Sequence, residues 1–296
     1  MRCPSGPVRC GPPFVMALPA LLLFALFSLV PMAIVVCLSF TRWDGLGSPA
    51  WAGTGNWREA LTNGVTRHAL WLALKLMVVS WAVQTPLSLL LGVFVAGRQR
   101  YRALLAVLYF VPLLISTAAI AVIFKNLLDP NFGLGAALNF PVLNQDWLGD
   151  PQLAFYAVAF VIAWQFVPFH TLLYQAGARQ IPASLYEAAS IDGAGRLAQF
   201  WHITLPQLRY TIVTSSTLMV VGSLTYFDLV FVFTGGGPGY ATRILPLDMH
   251  ITGFQSNQMG LASAISVVLV LAGLLLSLAL LRFSGFNRMR SQQAGM

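Results

Sequence analysis

The sequence predicts an all-α integral membrane protein with six transmembrane helices. Composition is the first reason: of 296 residues, 57% are hydrophobic and 9% charged, with mean hydropathy +0.74. A soluble domain carries about 25% charged residues. The second reason is segmentation. Six apolar runs, at 14–40, 68–96, 103–127, 153–176, 211–233 and 261–283, reach the ~20 residues that cross a bilayer. Lipid admits only helices or closed barrels, because backbone polar groups find no water there. These runs are too long and too evenly apolar for barrel strands, so they read as helices.

The first run follows Arg2 and Arg9, as a signal peptide would. It exceeds the ~7–15 apolar residues of a signal core, and no small-residue cleavage site follows it. It is expected to be retained as the first membrane helix. Orientation comes from charge. Arg2, Arg9, Arg98, Arg100, Arg102, Arg179, Arg196, Arg209, Arg282, Arg288 and Arg290 all fall on one side of a six-span layout. The opposite loops mix Arg42, Arg58, Arg67 and Arg243 with Asp44, Glu59, Asp129, Asp146, Asp150 and Asp248. The positive-inside rule makes the first side cytoplasmic, with both termini inside. Trp and Tyr at span ends fit an interfacial belt. No internal repeat, linker or low-complexity tract divides the chain, so residues 1–296 are expected to form one membrane domain.

Several function classes are excluded at this level. The net charge of +8 is spread between apolar runs rather than gathered with aromatics, which argues against nucleic acid. Cys3, Cys10 and Cys37 have no metal-site spacing, and their odd number argues against a disulfide framework. They read as inert thiols. The only lysines, Lys75 and Lys125, follow no glycine, so the chain has no nucleotide-binding P-loop. It has neither a zinc-protease helix nor a nucleophile-elbow serine.

The most distinctive segment is the loop at 177–210, expected on the cytoplasmic side. Ser184 and Glu187 have capping-box spacing, so Ser184 is expected to cap a helix. Gly193 and Gly195 can end it by adopting positive φ. A second helix should run until Pro206 ends or kinks it. Exposed apolar residues on such helices suggest a protein contact. The fourth and fifth runs hold Gln165, His170, Ser223, Thr225, Tyr226 and Asp228 at apolar depth. Such groups usually face a cavity or a partner. Ser223, Tyr226 and Phe227 are spaced to share a helix face. Polar groups beside aromatic rings suit a sugar, which offers hydroxyls and apolar C–H faces. Asp228, the only acid inside a run, is expected to pair with Lys75 or Lys125, or to hydrogen-bond near the outer surface, rather than to bind a ligand.

The loop carries Glu187-Ala188-Ala189, then Gly193, then Ile203 and Leu205-Pro206. This resembles the EAA loop of binding-protein-dependent ABC importer permeases. Asp192-Gly193-Ala194 and Phe200 resemble the carbohydrate-uptake, maltose-permease-like branch. So do Phe227-Asp228, Thr234-Gly235-Gly236-Gly237-Pro238, Phe254 and Gly260-Leu261-Ala262-Ser263-Ala264. Tyr210 departs from the proline that many relatives carry there.

The resemblance implies a type I importer architecture in a bacterial inner membrane. It also implies a second homologous permease subunit, a cytoplasmic ATPase dimer that binds ATP and Mg, and an external solute-binding protein. The chain itself would hold no cofactor and catalyse nothing. Glu187, Ala188, Ala189, Asp192 and Gly193 would dock the ATPase. Position by position, the resemblance selects Gln165, Phe166 and Phe169 of the fourth run, and Met219, Gly222, Ser223 and Tyr226 of the fifth, for the substrate pathway. Interhelical packing is the competing role for these residues. A permease for glycerol 3-phosphate is the alternative within this branch. An ion-driven secondary transporter and an assembly subunit are the alternatives outside it.

Overall fold

The computed structural model describes residues 14–97, 100–139 and 144–283. Cys3, Cys10, Arg2, Arg9, Arg98, Arg288 and Arg290 lie outside the described residues. The first apolar run forms α1 (Phe14–Phe24) and α2 (Val30–Leu38), joined by a π-helical turn at Ala25–Leu29. Pro31 sits just past this turn. Its missing N–H interrupts the regular ladder, and a widened turn absorbs the interruption. The stretch Ala17–Leu38 is 22 residues long and 0% buried by the rest of the chain. Cys37 carries a free, exposed thiol there.

A short loop with β1 (Thr41–Arg42) antiparallel to β2 (Ala50–Trp51) leads to α3 (Gly55–Thr62). At the tip of this loop the N–H groups of Leu46 and Gly47 hold the Asp44 carboxyl below its ordinary range. Next comes α4 (Gly64–Val95), whose first turn is capped by the Asn63 side chain accepting from the Val65 N–H at 2.8 Å. The other long rods are α8 (Pro151–Arg179) and α15 (Met259–Phe283). Pro151 opens α8 where its missing N–H costs nothing, and Asp150 caps it by accepting from Gln152 and Leu153.

Two apolar runs do not form single helices, contrary to the sequence reading. The third becomes α5 (Arg100–Leu114) and α6 (Thr117–Leu127), with a 101° bend between Val107–Leu114 and Thr117–Leu127. The fifth becomes α12 (Arg209–Ser223) and α13 (Phe227–Phe233), bent by 48°. At the first break Ser116 is extended, and its Oγ accepts from the Ala119 N–H at 3.2 Å, which starts a new helix. At the second, the Phe227 N–H donates to the Thr225 carbonyl at 2.8 Å in a tight turn. Hydropathy misses both breaks because neither introduces charge. Among the described residues four helices are long and apolar enough to cross a membrane on their own, and the number rises to six with each bent pair taken as one span.

Shorter helices occupy the two ends of the bundle. These are α7 (Leu134–Leu138), α9 (Ala183–Ile191), α10 (Arg196–Gln199), α11 (Leu205–Gln207) and α14 (Leu245–His250). The seam between α4 and α8 is the most extensive helix contact. Small residues on both helices are buried, among them Ala69 and Ala73 of α4 and Ala154 and Ala157 of α8. Without water to drive association, such residues let helices approach closely and gain dispersion contacts. Gly92 is the tightest point: a Cβ there would stand 2.6 Å from Tyr174 Cβ and 2.9 Å from the Thr171 carbonyl oxygen. Gly92→Val is therefore expected to destabilise the folded chain by about 1–3 kcal/mol through overpacking. A lower midpoint in a detergent thermal-unfolding assay, relative to wild type, checks this.

Candidate functional site

At one end of the bundle α9, α10 and α11 form a bracket beneath α4 and α8. Helix α9 starts differently from the sequence reading. Its N-cap is Pro182, with no side-chain cap, and Ser184 lies within the first turn. The expected Ser184–Glu187 capping box does not form, since the chain enters the helix two residues earlier. Gly193 does end α9, at φ +79°, with the Ala194 N–H reaching back to the Ala189 carbonyl at 2.8 Å. Gly195 instead is extended and precedes α10, so its expected positive φ is not used. Pro206 follows a second π-helical turn, Phe200–Thr204, and sits in the first turn of α11.

Polar contacts fasten this bracket. The Tyr186 hydroxyl meets Thr204 Oγ1 at 2.9 Å, and Gln199 Nε2 donates to Ser190 Oγ and to the Ala194 carbonyl, both at 3.0 Å. Leu208, 1% exposed, plugs the joint below. The opposite surface is bare. Glu187, Ala188, Asp192 and Gly193 are exposed and Ala189 half-buried. Around them Ile191 is 87%, Leu197 73% and Trp201 56% exposed. Apolar side chains of this size around a carboxylate make a surface suited to a protein partner.

The second region lies at the α12–α13 break. A cavity of about 300 Å³ is lined by Phe166 and Phe169 of α8, Met219 and Gly222 of α12, and Tyr226 and Asp228 beyond them. The Phe166 and Tyr226 rings stand 5.4 Å apart. Five of the seven pathway residues selected from sequence thus share one cavity. The other two do not line it. Gln165 is buried and donates from Nε2 to Thr117 Oγ1 at 3.0 Å, tying α8 to α6. Ser223 is buried and donates to the Val220 carbonyl at 2.8 Å. Ser223 also shares no continuous helix face with Tyr226 and Phe227, because the chain breaks between them.

Sequence reading missed two walls of the cavity. Leu113 and Thr117, at the α5–α6 bend, line it. The Ser116-Thr117 pair, a capping signal inside an apolar run, was the available clue. His170 also lines the cavity, and its Nδ1 lies 2.9 Å from Ser215 Oγ of α12. Helix α12 is fixed to α4 as well: Trp81 Nε1 donates to Ser216 Oγ at 2.8 Å, and the Thr85 hydroxyl donates to the Met219 sulfur at 3.4 Å.

Asp228 corrects another expectation. It pairs with neither Lys75 nor Lys125, but stands exposed in the first turn of α13, on the cavity wall. Lys75 lies over the Phe155 ring instead, 4.1 Å from its centroid. Among the described residues the one salt bridge is Arg243–Asp248 at 2.7 Å. Asp248, 1% exposed, also accepts from the Thr66 hydroxyl at 2.9 Å, fastening the long loop after α13 to α4. Among the described residues, no group of three or more His, Cys, Asp or Glu side chains is arranged to hold a metal.

Residues 84–287 match the sequence profile of a family described as "Binding-protein-dependent transport system inner membrane component". A probable ABC transporter permease of Bacillus subtilis is 32% identical over 278 residues, covering 92% of this chain and 95% of that one. The multiple sugar-binding transport system permease of Streptococcus mutans is 32% identical over 253 residues, covering 84% and 87%. The trehalose/maltose transport system permease of Thermococcus litoralis is 30% identical over 281 residues, covering 93% and 94%. In three dimensions the fold matches a chain of a bacterial ABC transporter that imports the acidic polysaccharide alginate. That match has a TM-score of 0.81 and 21% identity, covering 93% of this chain and 96% of the other. The same transporter has been solved with an alginate pentasaccharide-bound periplasmic protein.

The bracket itself yields a test. Tyr186→Phe removes the hydrogen bond to Thr204, worth ~1 kcal/mol. Amide exchange in α9 is expected to quicken roughly fivefold, with α4 and α8 unchanged. Deuterium uptake followed by mass spectrometry checks this.

Proposed function

The chain belongs to the family of binding-protein-dependent transport system inner membrane components, and we propose that it is the permease subunit of an ATP-driven importer carrying a sugar or oligosaccharide. One observation carries the sugar reading: a cavity walled by Phe166, Phe169 and Tyr226, opened by the α12–α13 break, with Asp228 at its edge. Aromatic faces stack on the C–H surfaces of a sugar ring, and a carboxylate accepts from its hydroxyls. The cavity lining holds no Lys or Arg. This favours an uncharged solute over glycerol 3-phosphate, which would want basic groups. The named sugar permeases among the relatives support the same choice.

The energy comes from elsewhere. The sequence has no P-loop, so a separate ATPase pair binds ATP and Mg and docks on the bracket. Glu187, Ala188, Ala189, Asp192 and Gly193 supply the contact, with Ile191 and Leu197 filling apolar pockets around them. With no capping box to occupy it, the Glu187 carboxylate is free for a basic group of that partner. The bracket and both termini face the cytoplasm, as the arginine distribution requires. A second permease completes the pathway, and an external binding protein delivers solute to the loops that include the glycine turn at 235–239. The structure of the alginate importer with its periplasmic protein supports this arrangement.

The assembled transporter in vesicles, with its binding protein, is expected to take up sugar only when ATP is supplied. Uptake driven by a proton or sodium gradient without any ATPase subunit would overturn the reading. Glu187→Ala should weaken ATPase docking by ~1.5 kcal/mol, roughly tenfold in affinity, and leave membrane insertion intact. Co-purification of the ATPase measures it. Tyr226→Ala should raise the KM for sugar about tenfold by removing one stacking face. Radiolabelled uptake measures that, and an unchanged KM would move the sugar site elsewhere.

A further inference from the structure

A second pair of cavities lies on a different face of α8 from the aromatic-walled cavity, and Gly239 and Ala241 of the loop after α13 close one of them. The first, about 520 Å³, is bounded by His68, Leu72 and Lys75 of α4 and by Gln152, Phe155 and Tyr156 of α8. The second, about 700 Å³, is walled by Val79, Val83 and Leu87 of α4 and by Tyr156, Phe160 and Trp164 of α8, with α5 opposite. Tyr156 lines both. Along α4 the lining positions 68, 72, 75, 79, 83 and 87 are separated by steps of three or four, so they form one continuous helix face. The two cavities share Tyr156 and this face of α4, the one further from the bracket more polar and the other apolar.

We propose that this pair of cavities binds an anionic phospholipid, with the headgroup phosphate on Lys75 and one acyl chain in the groove below. Charge is the first argument. Lys75 forms no salt bridge among the described residues, and no carboxylate lines its cavity. Asp150, the acid just before Pro151 of the cavity lining, is occupied in capping α8. The Phe155 ring, 4.1 Å from the ammonium, covers one side of it. An ammonium on a membrane helix is costly unless it meets a partner or reaches the interface, and a phosphate supplies that partner. Exposed His68, seven residues before Lys75 on the same face, is placed to donate a second hydrogen bond.

Shape is the second argument. From Val79 to Leu91 the groove follows α4 for ~18 Å, slightly more than half of the ~30 Å hydrocarbon core. That is the depth of one leaflet. Its walls open outward, with Tyr156 55% and Phe160 59% exposed. The sugar cavity uses a different face of α8, through Phe166 and Phe169. A neighbouring protein helix would fill the apolar groove but would need its own acid to meet Lys75. An anionic lipid matches both ends at once.

The test uses the assembled transporter, reconstituted in nanodiscs of phosphatidylglycerol and phosphatidylcholine in equal parts. Lipid that stays with the washed protein is quantified by mass spectrometry. Wild type should retain phosphatidylglycerol about fivefold over phosphatidylcholine, as expected for ~1 kcal/mol from one basic residue. Lys75→Arg should keep this preference and Lys75→Gln abolish it. Val83→Trp, on the exposed groove wall, should lower retention of both lipids. Equal retention of the two lipids by wild type, or an undiminished preference in Lys75→Gln, would overturn the proposal. So would efficient cross-linking of the Val83→Cys variant to a neighbouring subunit, which would assign the groove to protein.

Discussion

The close crossing of α4 and α8 is the contact on which the other elements depend. Two apolar helices in lipid gain little from hiding apolar surface, because lipid tails are equally apolar. What remains is dispersion between well-fitted surfaces, which requires short side chains at the seam. Gly92 against Tyr174 and the Thr171 carbonyl meets that need at the narrowest point, and Ala69, Ala73, Ala154 and Ala157 are buried small residues of the same two helices. The α5–α6 bend, helix α12 and the loop after α13 are all positioned against this pair.

Helix α12 shows how that scaffold serves transport. One end leaves the bracket just after Leu208, where Gly177 lets α8 approach Thr211. The other end stops at the break beside Tyr226. Between them, hydrogen bonds from Trp81 and Thr85 on one side and His170 on the other hold α12 to both scaffold helices. His170 and Met219 belong to these fastenings and also to the cavity wall. A single helix therefore runs from the bracket to the cavity at the α12–α13 break. The breaks in the third and fifth apolar runs have the complementary role. They are the places where the bundle opens a concave, partly polar surface without exposing unsatisfied backbone to lipid.

The two ends of the bundle are held by different physics. At the bracket, neutral hydrogen bonds such as Tyr186–Thr204 and Gln199–Ser190 join short helices, each of modest net worth. At the other end, Arg243, Asp248 and Thr66 form a nearly dry charged cluster. Such a cluster is costly to break, because removing one partner strands the other charge. The loop after α13 is thus fixed in register with α4. The bracket can be reshaped at lower cost.

Much was legible in the sequence, for reasons that belong to single residues and short windows. Length and hydropathy identified the membrane runs, because the bilayer sets a fixed thickness. The spacing from Glu187 to Pro206 marked out the bracket of short helices, and Gly193 marked the end of its first helix. Local pattern also misled. Ser184 and Glu187 have capping-box spacing, yet the chain enters the helix at Ala183 after Pro182. Where the apolar runs bend was not determined by hydropathy, since Ser116 and Thr225 are no obstacle to a straight span until neighbouring helices offer a better fit. Nor could the sequence tell that Phe166, Tyr226 and Asp228 would share a wall while Gln165 and Ser223 turned away. Those outcomes depend on the rotation of α8 against α12, which is set by packing across the bundle. The sequence by itself determined what the chain is dissolved in and where its bracket of short helices begins and turns. Only the tertiary structure decided which polar side chains face the cavity and that Lys75 faces the α4–α8 cleft, because facing is a property of helix pairs and not of one helix.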